Sequence, residues 1–386
     1  MEKENKINLI YNIFSPSAPI DNFDFFVGRY RQLHNIREAL EERGQHAVMF
    51  GGRGVGKTSI ANVLPALFEN LLISKVTCNR SDDFRSIWDK IIRKIHLFSS
   101  KRKMGFTAEQ EERVRELRLP NKEYIDANDI LNTFNRVPSY SLVVIDEFDS
   151  IEDNETKEMM ADTIKTFSDN TPYVTILIIG ISTSVNELIG NHPSLERCVK
   201  QIHVPLMNID ESKELIEKSM QILKMKIDDG IAEKIIEYSS GFPHYIHSLC
   251  KYAAVYAVES DLDTIKREHF DYAVLESIKN SSHSLREAYK KAVSSSKEKN
   301  KFEDVIFASI LADEQSNENF SPEDVLKNYN KITNQKLKKE SIYYNLGMLC
   351  KPERGYILRK SGSARNRKYE FNNPLMKAFV KLKLHK

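Results

Sequence analysis

The sequence predicts an α/β chain. A parallel sheet with covered faces is followed by a helical segment, then by three helices and a two-stranded wing. Three observations carry this reading. Short β-rich runs alternate with helical patterns as far as about Pro205, as in a parallel sheet with crossover helices. Glycine makes up only 14 of 386 residues, yet Gly51, Gly52, Gly54 and Gly56 crowd between one such run and a helical pattern. From Asp210 to about Lys279 no strand is apparent, and amphipathic stretches such as ESKELIEKSMQILKM and GIAEKIIEYSSG predict a small helical domain.

The expected strands are HAVMFG, LISKVTC, SLVVID, YVTILIIG and KQIHVPL, with DDFRSIWDKIIRKIH and ETKEMMADTIKTFS among the helices between them. The charged stretch from Ser99 to Glu123 resembles a surface insertion. SSSKEKNK, Ser294 to Lys301, is polar and reads as a linker. Beyond it KFEDVIFASILAD, SPEDVLKNYNKI and KKESIYYNLGMLC predict three helices. Ser321 and Pro322 stand at the N-cap and first position of the second. GYILRK and KYEFN then read as strands, and PLMKAFVKLKL as a last helix. Three helices followed by a two-stranded wing is the order of a winged helix. The predicted division is 1–206 for an α/β base, 207–290 for a helical lid and 295–386 for the winged-helix domain.

Hydrophobic content of 41% and charged content of 29% describe a soluble globular protein. Cys78, Cys198, Cys250 and Cys350 are far apart and fall at no metal-ligand spacing, as reduced thiols in a cytoplasmic protein do. The charged start lacks a signal-peptide core, and the longest apolar run, near Val174 to Ile181, is too short to cross a bilayer. A cytoplasmic location with no membrane partner is expected.

Gly51-x4-Gly56-Lys57-Thr58 fits the P-loop pattern, in which backbone N–H groups curl around a polyphosphate. Gly51, Gly52, Arg53, Gly54, Val55, Gly56, Lys57, Thr58 and Ser59 form this expected cradle. Lys57 would pair with the β- and γ-phosphates, and the Thr58 hydroxyl would ligate Mg2+. Ala47 to Phe50 reads as a buried strand before the loop. Lys57 to Glu69 reads as a helix whose N-terminal dipole favours an anion. Hydrolysis also needs a carboxylate near the metal and a group that orients water. SLVVIDEFD supplies both: Asp146 closes an apolar strand, and Glu147 follows it, placed to polarise the attacking water. Asp149 is read as structural or solvent-exposed. No [NT]KxD run appears, so ATP is the expected nucleotide and water the acceptor: an ATPase, slow or stimulated by a partner.

FVGRYRQL, GGRGVGKTS, LVVIDEFD, HPSLERC and GFPHYIH come in that order, and together they resemble the AAA+/STAND group of P-loop ATPases near its archaeal and origin-initiator-like branches. The resemblance covers roughly Phe14 to Lys279 and implies further roles. Gly28 and Arg29 match the pre-P-loop GR motif that lies near the adenine, with Gln32 where a glutamate is common. Ser182 falls near the sensor-1 position, or is a plain helix cap. Arg197 sits where arginine fingers and γ-phosphate sensors sit, or is a surface arginine. Pro243 matches the GxP motif of the lid, or marks a simple helix-breaking turn. His244 stands where some relatives have a sensor-2 arginine.

After Asn330 fifteen lysines and arginines face only Glu340, Glu353 and Glu370, in a chain of net charge +2. On a winged helix such residues release counterions from nucleic-acid phosphates. Lys338, Lys339, Tyr344 and Asn345 on the third helix, and Arg365, Arg367 and Lys368 on the wing, are the candidate contacts to duplex DNA. The alternative is an ATPase of a signalling or defence-type assembly whose winged helix binds protein. A homo-oligomer is a further expected partner. A small-molecule phosphotransferase is disfavoured by Glu147 after Asp146 and by a lid without a clamping arginine cluster.

Overall fold

The computed structural model describes residues 3–68, 71–101, 117–137, 139–170, 173–182, 184–190, 195–294, 301–316, 319–361 and 367–385. The chain divides into two compact units, Ser15–Ser219, and Met220–Lys386 together with Met1–Phe14.

The first unit is built on a five-stranded sheet of β1 (His46–Gly51), β2 (Leu72–Thr77), β3 (Ser141–Asp146), β4 (Val174–Ile181) and β5 (Val199–His203). Its order is β2-β3-β4-β1-β5, and every pairing is parallel. All five expected strands are present, displaced by no more than a few residues at their ends. The continuous apolar runs of β1, β3 and β4 reflect burial on both faces. Alternation then sorts the side chains. Val48, Phe50, Val143, Ile145, Ile176 and Ile178 join one core, around Trp88, Phe134 and Phe167. Ala47, Met49, Leu142, Val144, Leu177 and Ile179 join the other, with Ile36, Ile60 and Leu64. Phe84–Lys101, Ala127–Phe134 and Asn154–Asn170 are helices, as are Tyr30–Glu41 and Lys57–Leu67. The chain is thus an α/β protein with the P-loop NTPase fold, and Gly51, Asp146 and Ile181 end three adjacent strands at one edge, where ligands of open α/β sheets bind.

In the second unit, helices Ile231–Ser239, Pro243–Glu259, Arg267–Lys279 and His283–Val293 precede Lys301–Gln315, Pro322–Thr333, Lys339–Leu349 and Met376–Lys383. The expectation of no strand between Asp210 and Lys279 needs correction. Two-residue strands β6 (Lys226–Ile227) and β7 (Thr264–Ile265) pair in parallel, too short to leave a periodic signature. β8 (Leu358–Ser361) and β9 (Lys368–Phe371) form an antiparallel pair, which Phe320 extends by a bridge to Tyr369.

The N-terminal helix Lys3–Ile13, expected within the base, clusters with this second unit. Lys3 Nζ donates to the Glu259 carbonyl (2.7 Å) and to Asp261 (3.0 Å), Lys6 pairs with Asp263, and Phe14 meets His247 edge-on. The last helix is likewise tied to the elements before it, through Lys377–Asp313 and Lys381–Glu314, both 2.5 Å. His385 stands between Tyr238 and Phe270 with Nε2 2.8 Å from Asp271. The contacts of His385, together with Lys381 Nζ donating to the Glu237 carbonyl at 3.1 Å, join the expected lid to the C-terminal segment. Among the described residues, no helix is long and apolar enough to cross a membrane.

Candidate nucleotide-binding site

The glycine loop has its shape because side chains do not fit there. A Cβ on Gly51 would lie 2.3 Å from the Val204 carbonyl oxygen, and Gly56 has φ +97° at the N-cap of the helix Lys57–Leu67. No side chain caps that helix. Its first N–H groups therefore retain hydrogen-bonding capacity for an anion. Lys57, only 8% exposed, donates through Nζ to the carbonyls of Gly51 (2.9 Å) and Gly52 (2.8 Å). Burial pulls its pKa down to about 8, against the opposing pull of Asp149 and Asp146. Val55 is buried, while Gly52, Arg53 and Gly54 are exposed. Thr58 is half-buried, and Ser59 Oγ accepts the Ile20 N–H at 3.1 Å.

Asp146, at the end of β3, is 2% exposed. One carboxylate oxygen, Oδ1, accepts the Glu147 N–H at 3.0 Å. The other, Oδ2, lies 3.2 Å from Lys75 Nζ but in no hydrogen-bond alignment, so a buried oxygen keeps its acceptor capacity. Lys75 Nζ instead donates to Asn62 Oδ1. A hard divalent cation, or the water it carries, suits such an oxygen. Glu147 follows in the left-handed region at φ +57°, with its side chain exposed. Asp149 Oδ1 accepts the Ile181 N–H at 2.8 Å and so ties the end of β3 to the end of β4.

The GR motif touches the loop directly. Arg29, buried and at φ +63°, donates through Nη2 to the Val55 carbonyl at 2.8 Å. Burial lowers its pKa, and Glu211 opposes that shift. Gln32 Nε2 donates to the His203 carbonyl at 3.1 Å, so this residue is engaged with the sheet edge. Ser182 Oγ lies 2.6 Å from the Ser184 carbonyl and 2.5 Å from Glu187, the local bonding of a turn that opens the helix Val185–Ile189.

Arg197 is not brought to the loop of its own chain. It precedes β5 beside Gln45, whose amide donates to its carbonyl, and its exposed guanidinium pairs with Asp169 at 3.1 Å. His46 pairs with Val199, so Gly51 lies a full strand length away, about 16 Å at 3.3 Å per residue.

The remaining candidates belong to the second unit. Pro243 opens its helix at the first position after Gly241 at φ +74°, and His244 follows half-buried. Lys338 is the exposed N-cap of the helix Lys339–Leu349, and Tyr344 is 65% exposed on it. Asn345 requires a correction. Its side chain is 8% exposed and belongs to the inward face with Ile342 and Leu346, so it does not offer itself to a duplex. Lys339 is paired with Glu323 at 2.7 Å. Arg367 is exposed and Lys368 half-buried at the start of β9, while Arg365 lies outside the described residues.

Sequence reasoning missed Lys75 and Glu211. A lysine inside the apolar strand LISKVTC was the signal for the first. Asn208 three residues ahead of Glu211, a capping-box spacing, was the signal for the second.

Residues 19–316 match the family model described as Novel STAND NTPase 1. An uncharacterized HTH-type transcriptional regulator of Methanocaldococcus jannaschii is 23% identical over 312 residues, 68% of this chain and 71% of that protein. Among solved structures, a Walker-type ATPase of Pyrococcus abyssi is similar with a TM-score of 0.54 and 15% identity, covering 96% of this chain and 99% of its own. The Orc2 protein of Aeropyrum pernix, solved in ADPNP–ADP complexes, has a TM-score of 0.51 and 15% identity, with 96% of each chain covered. These likenesses show the shared fold.

Proposed function

The chain belongs to the novel STAND NTPase 1 family, and from that premise we propose that it is an ATP-hydrolysing switch whose C-terminal winged helix engages duplex DNA. One observation carries the nucleotide reading: Lys57 is held over the Gly51 and Gly52 carbonyls at the start of an uncapped helix, beside a buried aspartate whose Oδ2 faces the Lys75 ammonium and accepts no hydrogen bond. Lys57 and the loop N–H groups bind and orient the phosphates. Thr58 and Asp146 would hold Mg2+, which supplies charge neutralisation to the phosphates when bound. Glu147, exposed at the end of β3, accepts a hydrogen bond from the attacking water and orients it. Arg197 stands too far along the sheet to serve its own loop, so its proposed role is toward the nucleotide of a neighbouring subunit in a homo-oligomer.

The DNA reading rests on the order of elements from Lys301 onward and on exposed Lys338, Tyr344 and Arg367. A specific observation favours the protein-partner reading. Lys339, Arg359, Lys377 and Lys381 are paired with Glu323, Glu370, Asp313 and Glu314, so the basic surplus is smaller in space than in sequence. The experiment is ATP turnover of the full chain with and without duplex DNA, with duplex affinity titrated against salt. DNA binding through phosphates gives a slope of about −0.9 per contact. Replacing Lys338, Arg367 and Lys368 with alanine then flattens that slope by roughly two to three. No binding, or a slope unchanged by the triple variant, leaves the protein-partner reading.

A further inference from the structure

Glu211, in the first turn of the helix Ile209–Leu223, performs two tasks at once. It completes a reciprocal cap with Asn208: its N–H donates to Asn208 Oδ1 (2.8 Å), and its Oε2 accepts the Asn208 N–H (3.0 Å). The same carboxylate reaches the GR motif. Oε1 accepts the Arg29 N–H at 3.1 Å, and Oε2 lies 3.6 Å from Arg29 Nη1.

Arg29 has reason to need a partner. A side chain at positive φ costs on the order of 1 kcal/mol and persists only where its surroundings hold it. Its guanidinium is buried, and a buried charge without a counterion is costly. The other end of that guanidinium donates to the Val55 carbonyl inside the P-loop. The contacts form a chain: Glu211 fixes Arg29, and Arg29 fixes the peptide of Val55 between Gly54 and Gly56.

We propose that Glu211 is a positioning residue of the nucleotide site, acting through Arg29 to hold the P-loop in the shape that receives phosphates. This rests on reading Gly51–Ser59 as a nucleotide cradle. The sign of the effect separates positioning from a simple field. Removing a negative charge near an anion site strengthens anion binding by Coulomb's law. A positioning residue does the opposite: its loss weakens binding. Glu211→Gln keeps a helix cap, because glutamine serves in a capping box as glutamate does. The helix also stays tied to its unit by Tyr30–Glu214 and by Lys218 donating to the Phe26 carbonyl.

The test is equilibrium ADP binding by the full chain as wild type, Glu211→Gln, Arg29→Met, the double variant and Lys57→Ala, with unfolding midpoints recorded without nucleotide. Each single variant at Glu211 or Arg29 should weaken ADP binding by about threefold to tenfold, the net size of one ordinary hydrogen bond. The double variant should bind no more weakly than Arg29→Met alone, since both act on one contact chain. Unchanged or tighter ADP binding by Glu211→Gln overturns the proposal. So do losses that multiply in the double variant, and so does a lowered midpoint with unaltered affinity. Lys57→Ala keeps the two claims apart. If it binds ADP like the wild type, the cradle reading fails; if it loses ADP while Glu211→Gln does not, only the positioning role fails.

Discussion

Lys57 is the residue on which chemistry and folding pull in opposite directions. In the proposed cradle its ammonium faces phosphate, yet burial lowers its pKa to about 8 from 10.5. The sign follows directly. The folded value is depressed, so between about pH 8 and 10.5 the unfolded chain holds more protons. Burying the charge costs stability below pH 8, and that cost is relieved as pH rises. A bound anion restores the charged form. ADP affinity should therefore fall by only about twofold from pH 7 to 8 and by up to tenfold per pH unit above it, with binding at pH 9 taking up close to one proton. Calorimetry in buffers of different ionisation enthalpy measures that uptake, and a flat affinity from pH 7 to 10 would refute the buried-cation account. Asp146 shows a similar economy: it is buried at a strand end with one oxygen committed to Glu147 N–H and the other ion-paired with Lys75 but accepting no hydrogen bond.

At the scale of elements, β1 sets the loop and β5 limits it. Gly51 abuts the Val204 carbonyl just beyond β5, so Gly51→Ala forces that peptide away from the sheet edge. Overpacking of this kind should cost about 1–3 kcal/mol, seen as a lowered denaturant midpoint. It should also weaken nucleotide binding, because the Gly51 carbonyl receives Lys57. β1, β3 and β4 were legible in the sequence as apolar runs buried on both faces, β2 and β5 as β-rich runs interrupted by Lys75 and by Lys200 and Gln201, and the P-loop because its glycines are required by geometry. β6 and β7 were not, since two residues carry no period. Asn345 was misread as an outward residue for a related reason. Its polarity suggested solvent, whereas its helical phase with Ile342 and Leu346 turns it inward. Glu211 and Lys75 stayed hidden because their partners, Arg29 and Asp146, are 182 and 71 positions away in the chain, and no local pattern records such a contact.

Across the whole molecule, charge is polarised along the sequence and partly cancelled in space, through pairs such as Lys377–Asp313 and Lys381–Glu314. The position of Arg197 makes a claim about assembly. If it serves a neighbouring subunit's nucleotide, Arg197→Ala should bind ATP normally and turn over slowly. Mixing it with Lys57→Ala should restore part of the activity, because each variant supplies what the other lacks. Turnover that is independent of protein concentration, with no rescue on mixing, would assign Arg197 to its surface pair with Asp169 alone. The central claim is that one loop binds the nucleotide while the end of β3 turns it over. Its most direct test is ATP binding and single-turnover hydrolysis by the wild type, Lys57→Ala and Glu147→Gln. The expected result is a split: Lys57→Ala loses binding, while Glu147→Gln binds ATP and hydrolyses it roughly a hundredfold more slowly or worse. Wild-type turnover by Glu147→Gln, or wild-type binding by Lys57→Ala, would contradict the account.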